Sequence, residues 1–177
     1  LGAGDTRVVH LGADLAAHPP ALTLERPAGE QVTIVTVGYL VGRKRHADVL
    51  RAMWSLRDRV PDLRYLVIGD GPERGALTDL TDTLGLTDRV EFAGQLDHPR
   101  ALERVRDEGA ILAMPSVDEA LGVAYLEGMA AGLPAVACIG EPGPEEIAES
   151  GEGIVLVPPA DIEALAGAIG DLAADEG

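Results

Sequence analysis

A single cysteine, Cys138, stands in the 177 residues, so no disulfide can close within the chain. It lies in an Ala-Val-Ala-Cys-Ile run that reads as a buried strand, with no histidine nearby in sequence to activate it, and is therefore expected to be a core thiol. No stretch of about 18 uncharged apolar residues occurs, which argues against a membrane-spanning helix. The first residues, Leu1 to Asp5, include neither Met nor a basic, apolar leader, and the chain reads as soluble, cytoplasmic and cut from something longer. Positive charge is scarce as well: 14 Lys and Arg face 30 Asp and Glu, a net charge of −16. A field of that sign repels nucleic acid and anionic membranes, so neither is an expected partner. An anionic ligand would need a local exception built from helix N-termini or a tight basic cluster. The densest cluster is Arg43, Lys44 and Arg45, and Lys44 is the only lysine in the chain.

What is present is enough apolar material, 46% of residues, for one sizeable core and one domain. Short β-rich runs alternate with longer segments of helical period, the pattern of βα units on a parallel sheet. Strands are predicted at Val32–Val37, Arg64–Ile68, Val90–Ala93, Ala110–Met114, Ala135–Ile139 and Gly153–Val157. Helices are predicted to start near His46, Glu73, Pro99, Gly122 and Glu145, with a last one at Ile162–Ala173. The expected fold is α/β, a Rossmann-like doubly wound parallel sheet of about six strands. Residues 1–30, with Pro19, Pro20 and Pro27 and no strong period, read as a strand and linker leading into a domain over residues 31–177.

In open α/β sheets ligands gather beyond the carboxyl ends of the strands. After the first predicted strand comes Gly38-Tyr39-Leu40-Val41-Gly42-Arg43-Lys44-Arg45, which superficially suggests a Walker loop. It lacks the Gly before the Lys and the Ser or Thr after it. It remains either an anchor for a diphosphate or a solvated basic turn. After the second strand, Gly69-Asp70-Gly71-Pro72-Glu73-Arg74-Gly75 resembles a dinucleotide fingerprint with its third Gly one residue late and on the wrong strand. Its glycines permit a close backbone approach, whether of a ligand or simply within a tight βα turn.

The fourth predicted strand runs into Met114-Pro115-Ser116-Val117-Asp118-Glu119-Ala120-Leu121-Gly122, followed by a helix containing Glu127. A Gly at the first helical turn frees N–H groups for an anion, which the helix dipole also favours. Were the segment helical throughout, Glu119 and Glu127 would stand roughly 12 Å apart. That exceeds the roughly 5 to 9.5 Å of paired glycosidase carboxylates and suits opposite ends of one elongated ligand. A sugar-nucleotide fits, with sugar and ribose at the ends and the diphosphate over the helix start. The plain alternative is a capping acid followed by a surface glutamate.

Pro115-Ser116, Glu119, Gly122, Leu126-Glu127, Met129-Ala130 and Gly132-Leu133-Pro134 together resemble the signature of the family-4 glycosyltransferases of GT-B fold. The likeness extends to Val37-Gly38 with Lys44, Val67 to Pro72, Leu84-Gly85-Leu86, Val90 to Gly94, Glu146-Ile147 and Val157-Pro158-Pro159. Val9 to Asp14 looks like that family's crossing segment between two domains. The resemblance implies one half of a GT-B enzyme: the C-terminal, donor-binding domain of a retaining enzyme using a nucleoside-diphosphate sugar. The N-terminal acceptor domain would be missing, and this half alone inactive. No metal or other cofactor is implied, in keeping with the lack of an Asp-any-Asp motif.

By the resemblance, Lys44 binds the diphosphate, Glu119 is the catalytic candidate on the donor-sugar hydroxyls, and Glu127 holds the ribose hydroxyls. The substrate-binding set also includes Gly38, Arg43 and Gly71, Gly94, Gln95 and Leu96 near the base, and Ala120, Leu121, Gly122 and Val123 around the phosphate. Tyr39 stands where the family often has an Arg, for which Arg43 or Arg45 would substitute, and Ala120-Leu121 replaces the usual Gly-Phe. An epimerase or phosphorylase of the same fold and a non-catalytic nucleotide-binding module remain as other readings. Retention of Lys44, Glu119 and Glu127 argues against the last.

Overall fold

The computed structural model describes residues 31–118, 122–151 and 153–174. The predicted linker of residues 1–30, including Val9 to Asp14, lies outside the described residues. Six strands, β1 (Thr33–Val37), β2 (Arg64–Ile68), β3 (Val90–Gly94), β4 (Ile111–Ala113), β5 (Ala135–Cys138) and β6 (Ile154–Val157), alternate with six helices. The helices are α1 (His46–Ser55), α2 (Arg74–Thr83), α3 (His98–Glu108), α4 (Val123–Ala130), α5 (Pro142–Ser150) and α6 (Ile162–Ala174). The prediction of six βα units holds. One helix start moves, since α5 begins at Pro142 instead of Glu145. Proline lacks the N–H that a first helical turn leaves unpaired anyway, so the helix can begin on Pro142.

All neighbouring strands pair in parallel, in the order β3-β2-β1-β4-β5-β6. This is the doubly wound Rossmann order, and the connections diverge between β1 and β4. Successive residues of a strand point to opposite faces, and both faces of the central strands are covered, which is why β1, β2, β4 and β5 are mostly buried along their length. Ile34, Tyr65, Val67, Ile111 and Val136 pack on one side with Leu50 and Met53 of α1, Leu77 of α2 and Ile169 of α6. Val35, Leu66, Leu112, Ala135 and Ala137 pack on the other with Val105 of α3 and Tyr125 of α4. α4 comes close because residue 128 is glycine: a Cβ there would sit 2.7 Å from Leu112 Cδ2. That approach sets α4 and its N-terminus over β4.

Cys138 is 1% exposed, and burial pushes its thiol up to about 11, against the nearby Arg45 and together with Glu141 and Asp48. A core thiol is what the structure contains. Among the described residues no helix is long and apolar enough to cross a membrane.

Candidate functional site

The loops after β1, β2, β3 and β4 meet at the carboxyl edge of the sheet, bonded to one another through their backbones. Gly38 N–H donates to the Ile68 carbonyl at 2.9 Å, and Leu40 N–H to that of Asp70 at 2.9 Å. In return Glu73 N–H donates to Leu40 at 3.1 Å, and Gly69 N–H donates across to Gly94 at 2.8 Å. The glycines of the Gly-Asp-Gly-Pro turn serve this stitching. A Cβ on Gly69 would fall 1.9 Å from the Gly38 carbonyl oxygen, and one on Gly71 2.6 Å from that of Leu40. The close approach anticipated from the sequence is made by the chain's own β1–α1 loop.

The basic segment is a short 3-10 turn, Gly42–Lys44, followed by Arg45 in a left-handed conformation and then α1. Its three cations part company. Arg45 turns back to Asp48, Nε to Oδ2 at 2.6 Å, in an ion pair that Arg51 shares at 3.2 Å. Arg45 is thereby committed to the start of α1, which leaves Arg43 as the candidate substitute for the arginine that Tyr39 replaces. Lys44 is only 8% exposed and lies along Gly38, where a Cβ would stand 3.6 Å from Lys44 Cε and 3.9 Å from Nζ. Arg43 bonds the turn to the β4–α4 loop: its carbonyl accepts from Val117 N–H at 2.8 Å, and its guanidinium reaches the Asp118 carbonyl at 3.4 Å. The two segments singled out in sequence, 75 residues apart, are therefore in contact.

Two described residues between β4 and α4 are left-handed. Asp118 has φ 58°, and Gly122 caps α4 with φ 67° and ψ 51°. The condition of a helix unbroken from Glu119 to Glu127 is not met, because the left-handed Gly122 starts α4 at Val123, and the helical estimate of their separation does not apply. Left-handed residues are tolerated by Gly and by Asp, which is why the chain can break direction at these two positions. Glu119, Ala120 and Leu121 lie outside the described residues. Gly122 is buried, and α4 opens on the exposed Val123, whose N–H belongs to the first turn that the helix leaves without an internal partner. Glu127 stands one turn further along the same helix face.

Three contributors were not found from sequence. His98, the first residue of α3, bonds Glu127 through Nε2 to Oε1 at 2.8 Å. Glu141, before α5, accepts from the Asp118 N–H through Oε1 at 3.0 Å, and the Tyr125 hydroxyl donates to the Met114 carbonyl. None of these carries a local motif; the packing of α4 on the end of β4 brings Tyr125 to Met114, and the fold brings the other two pairs together from 29 and 23 residues apart. Gln95 is exposed and Leu96 half-buried beside Gly94, whose φ is 72°. Among the described residues, no group of three or more His, Cys, Asp or Glu is arranged to hold a metal ion.

Beneath the basic turn, His46 is fully buried. Its Nδ1 lies 3.3 Å from the Tyr65 hydroxyl, which bonds Thr36 Oγ1 at 2.9 Å, and Thr36 donates to the Ala113 carbonyl at 2.6 Å. Burial holds the His46 pKa down at about 4, against the Tyr39 carbonyl and with the help of Lys44. An unfolded histidine takes up its proton near 6.5, so protons favour the unfolded chain between these two values. Going from pH 7 to pH 5 should therefore remove about 2 kcal/mol of stability through His46 alone. Denaturant melts of the wild type and His46→Gln across this range check it. The variant should lose that part of the slope, and an unchanged slope would refute the assignment.

A doubly wound layer with a cationic turn and a glycine-capped helix at its switch point defines a class: a Rossmann-like α/β domain. The particular family comes from comparison with known proteins. Residues 25–177 match the family described as Glycosyl transferases group 1, and the chain belongs to it. It is 39% identical over 145 residues, 81% of its length, to the Exopolysaccharide phosphotransferase SCO2592 of Streptomyces coelicolor. To the GDP-mannose-dependent alpha-(1-6)-phosphatidylinositol monomannoside mannosyltransferase of Mycolicibacterium smegmatis it is 34% identical over 157 residues, 83% of its length. It spans 15% and 40% of those two proteins. Among solved structures, Anabaena Alr3699/HepE in complex with UDP and glucose superposes at a TM-score of 0.71 with 23% identity, over 82% of this chain and 39% of that one. That likeness shows the fold, the Rossmann-like α/β layer of GT-B glycosyltransferases.

Proposed function

We propose that this chain is the donor-binding part of a retaining, family-4 glycosyltransferase, a cytoplasmic enzyme that moves a sugar from a nucleoside-diphosphate sugar to an acceptor without a metal ion. The observation that carries the reading is the meeting at the switch point of the Arg43–Lys44 turn with the segment after β4, at Val117 and Asp118, in the connection that leads to the glycine-capped start of α4 and to Glu127 one turn along it. In a chain of net charge −16 a diphosphate needs such a local positive site. On this reading the diphosphate lies over Gly122 and Val123 beside Lys44. The ribose turns to Glu127, the base to Gly94, Gln95 and Leu96, and the sugar to Glu119 and the N–H groups of Ala120 and Leu121. The acceptor comes from a partner N-terminal domain, whose role is to hold it against the donor. A relative named for its dependence on GDP-mannose and a structural neighbour holding UDP and glucose support a nucleotide-sugar donor.

The test is a matrix of affinities. Glu127→Ala should weaken the free nucleotide and its sugar-nucleotide alike, by about 1.5 to 3 kcal/mol, because both contain the ribose. Glu119→Ala should spare the free nucleotide and weaken only the sugar-bearing form. Calorimetric titration with UDP, GDP and ADP and their glucose or mannose conjugates reads all four cells. An identical pattern for the two variants would remove the assignment of these residues to ribose and sugar.

A further inference from the structure

Glu127 is not left to find its own orientation. It has three side-chain torsions and is 22% exposed, yet one of its oxygens is held at 2.8 Å by His98, which is 66% exposed. A carboxylate can only accept, so His98 Nε2 carries the proton of this bond. Oε1 takes this bond, and Oε2 can accept from another donor.

His98 is itself fixed in place. Asp97 caps α3 by accepting from Arg100 N–H at 3.0 Å, and Pro99 stands in the first turn. Further along the helix, Arg104 bonds Glu91 of β3 at 2.7 Å and also grips Glu108. α3 is thereby pinned to β3, whose end, Gly94, is in turn bonded to Gly69. Through His98 this frame reaches the middle of α4, 29 residues on in sequence.

Resting on the proposed function, we propose that His98 is a positioning residue of the ribose subsite: it holds one oxygen of Glu127, aims the other at the ribose hydroxyls, and so sets a preference for ribonucleotides over 2′-deoxynucleotides. Without it the carboxylate samples several rotamers, and a hydrogen bond that needs one of them is weakened. The role is distinct from a mere strut between α3 and α4, because a strut would affect both sugars equally. It is also opposite in sign to a mask, in which His98 would compete with the ribose for Glu127.

The experiment is calorimetric titration of the chain, wild type, His98→Ala and His98→Gln, with UDP, GDP and ADP and with their 2′-deoxy counterparts. The wild type should prefer the ribonucleotide at least about tenfold, the scale of one hydrogen bond to a charged group. In His98→Ala that ratio should fall toward one by loss of ribonucleotide affinity, with 2′-deoxynucleotide affinity little changed. In His98→Gln, whose amide can still donate, most of the ratio should return. The exposed position lets all three proteins fold alike, which a common melting temperature verifies. A ratio unchanged in His98→Ala, an equal loss for both sugars, or tighter binding on removing His98 would each overturn the positioning role while leaving the donor site standing. If the wild type binds none of the nucleotides, the proposed function itself falls, and this inference with it.

Discussion

Replacing Gly69 by alanine should destabilise the chain by about 3 kcal/mol, a drop in melting temperature of roughly 10 °C, and should weaken nucleotide binding as well. Two effects combine. The backbone at residue 69 has φ +145°, where an L side chain is strained, and the new Cβ would fall 1.9 Å from the Gly38 carbonyl oxygen. Neither neighbour can yield cheaply. Gly69 N–H is bonded to Gly94, and Gly38 N–H to Ile68, so a shift breaks bonds within the sheet edge itself. Because Lys44 lies along Gly38, displacement there reaches the basic turn. Gly75, in α2, is the contrast: nothing lies within 4 Å of a Cβ built on it. Gly75→Ala should be neutral or stabilise by up to about 1 kcal/mol, since alanine is the better helix former. Thermal and denaturant melts of the two variants test the pair. Equal, small effects would mean that the β1 and β2 loops are not locked together as described.

Lys44→Ala is expected to weaken the nucleoside diphosphate that the chain binds best by about 1.5 to 3 kcal/mol, roughly ten- to a hundredfold, in the presence of chelator. Lys44 combines a buried stem with the only ammonium among the lysine side chains, so truncation removes both packing and charge. Lys44→Met separates them by keeping much of the stem without the charge. If the charge is what the diphosphate recognises, Met should bind as poorly as Ala while melting closer to wild type. Titration of all three proteins decides the matter. Full affinity in Lys44→Met, or binding that disappears with the metal, would overturn a metal-independent lysine contact.

Much of the fold was legible in sequence because the signals for it are local. Val-Thr-Ile-Val-Thr-Val and Arg-Tyr-Leu-Val-Ile bury both faces and so read as β-rich apolar runs, and they became β1 and β2. Gly122 marked the start of a helix because its backbone chemistry acts at the residue itself. The candidate site was legible only where a residue type is unusual in its place, as with the lone lysine or the glycine before α4. His98 and Glu141 passed unnoticed because an exposed His at a helix start and a Glu before a proline are ordinary residues there. What distinguishes them is a partner, Glu127 for one and Asp118 for the other.

The same division explains the differences. A helical spacing was taken as the condition for relating Glu119 to Glu127, yet Asp118 and Gly122 are left-handed, and α4 starts only at Val123. Arg43 and Arg45 stood as alternatives in sequence for the arginine that Tyr39 replaces, and the fold directs Arg45 to Asp48.

The sequence by itself determined which segments are strands and helices, their alternation, the absence of an internal disulfide and the scarcity of positive charge. Periodicity, turn chemistry and composition act over a few residues and need no partner. Tertiary structure alone decided the order β3-β2-β1-β4-β5-β6, and with it that the loops after β1 and β4 lie side by side. Residues as far apart as Arg43 and Asp118, or His98 and Glu127, meet only because that order closes the distance. Such contacts follow from strand pairing and from both faces of the sheet being buried at once, a condition on the whole chain that no local stretch encodes.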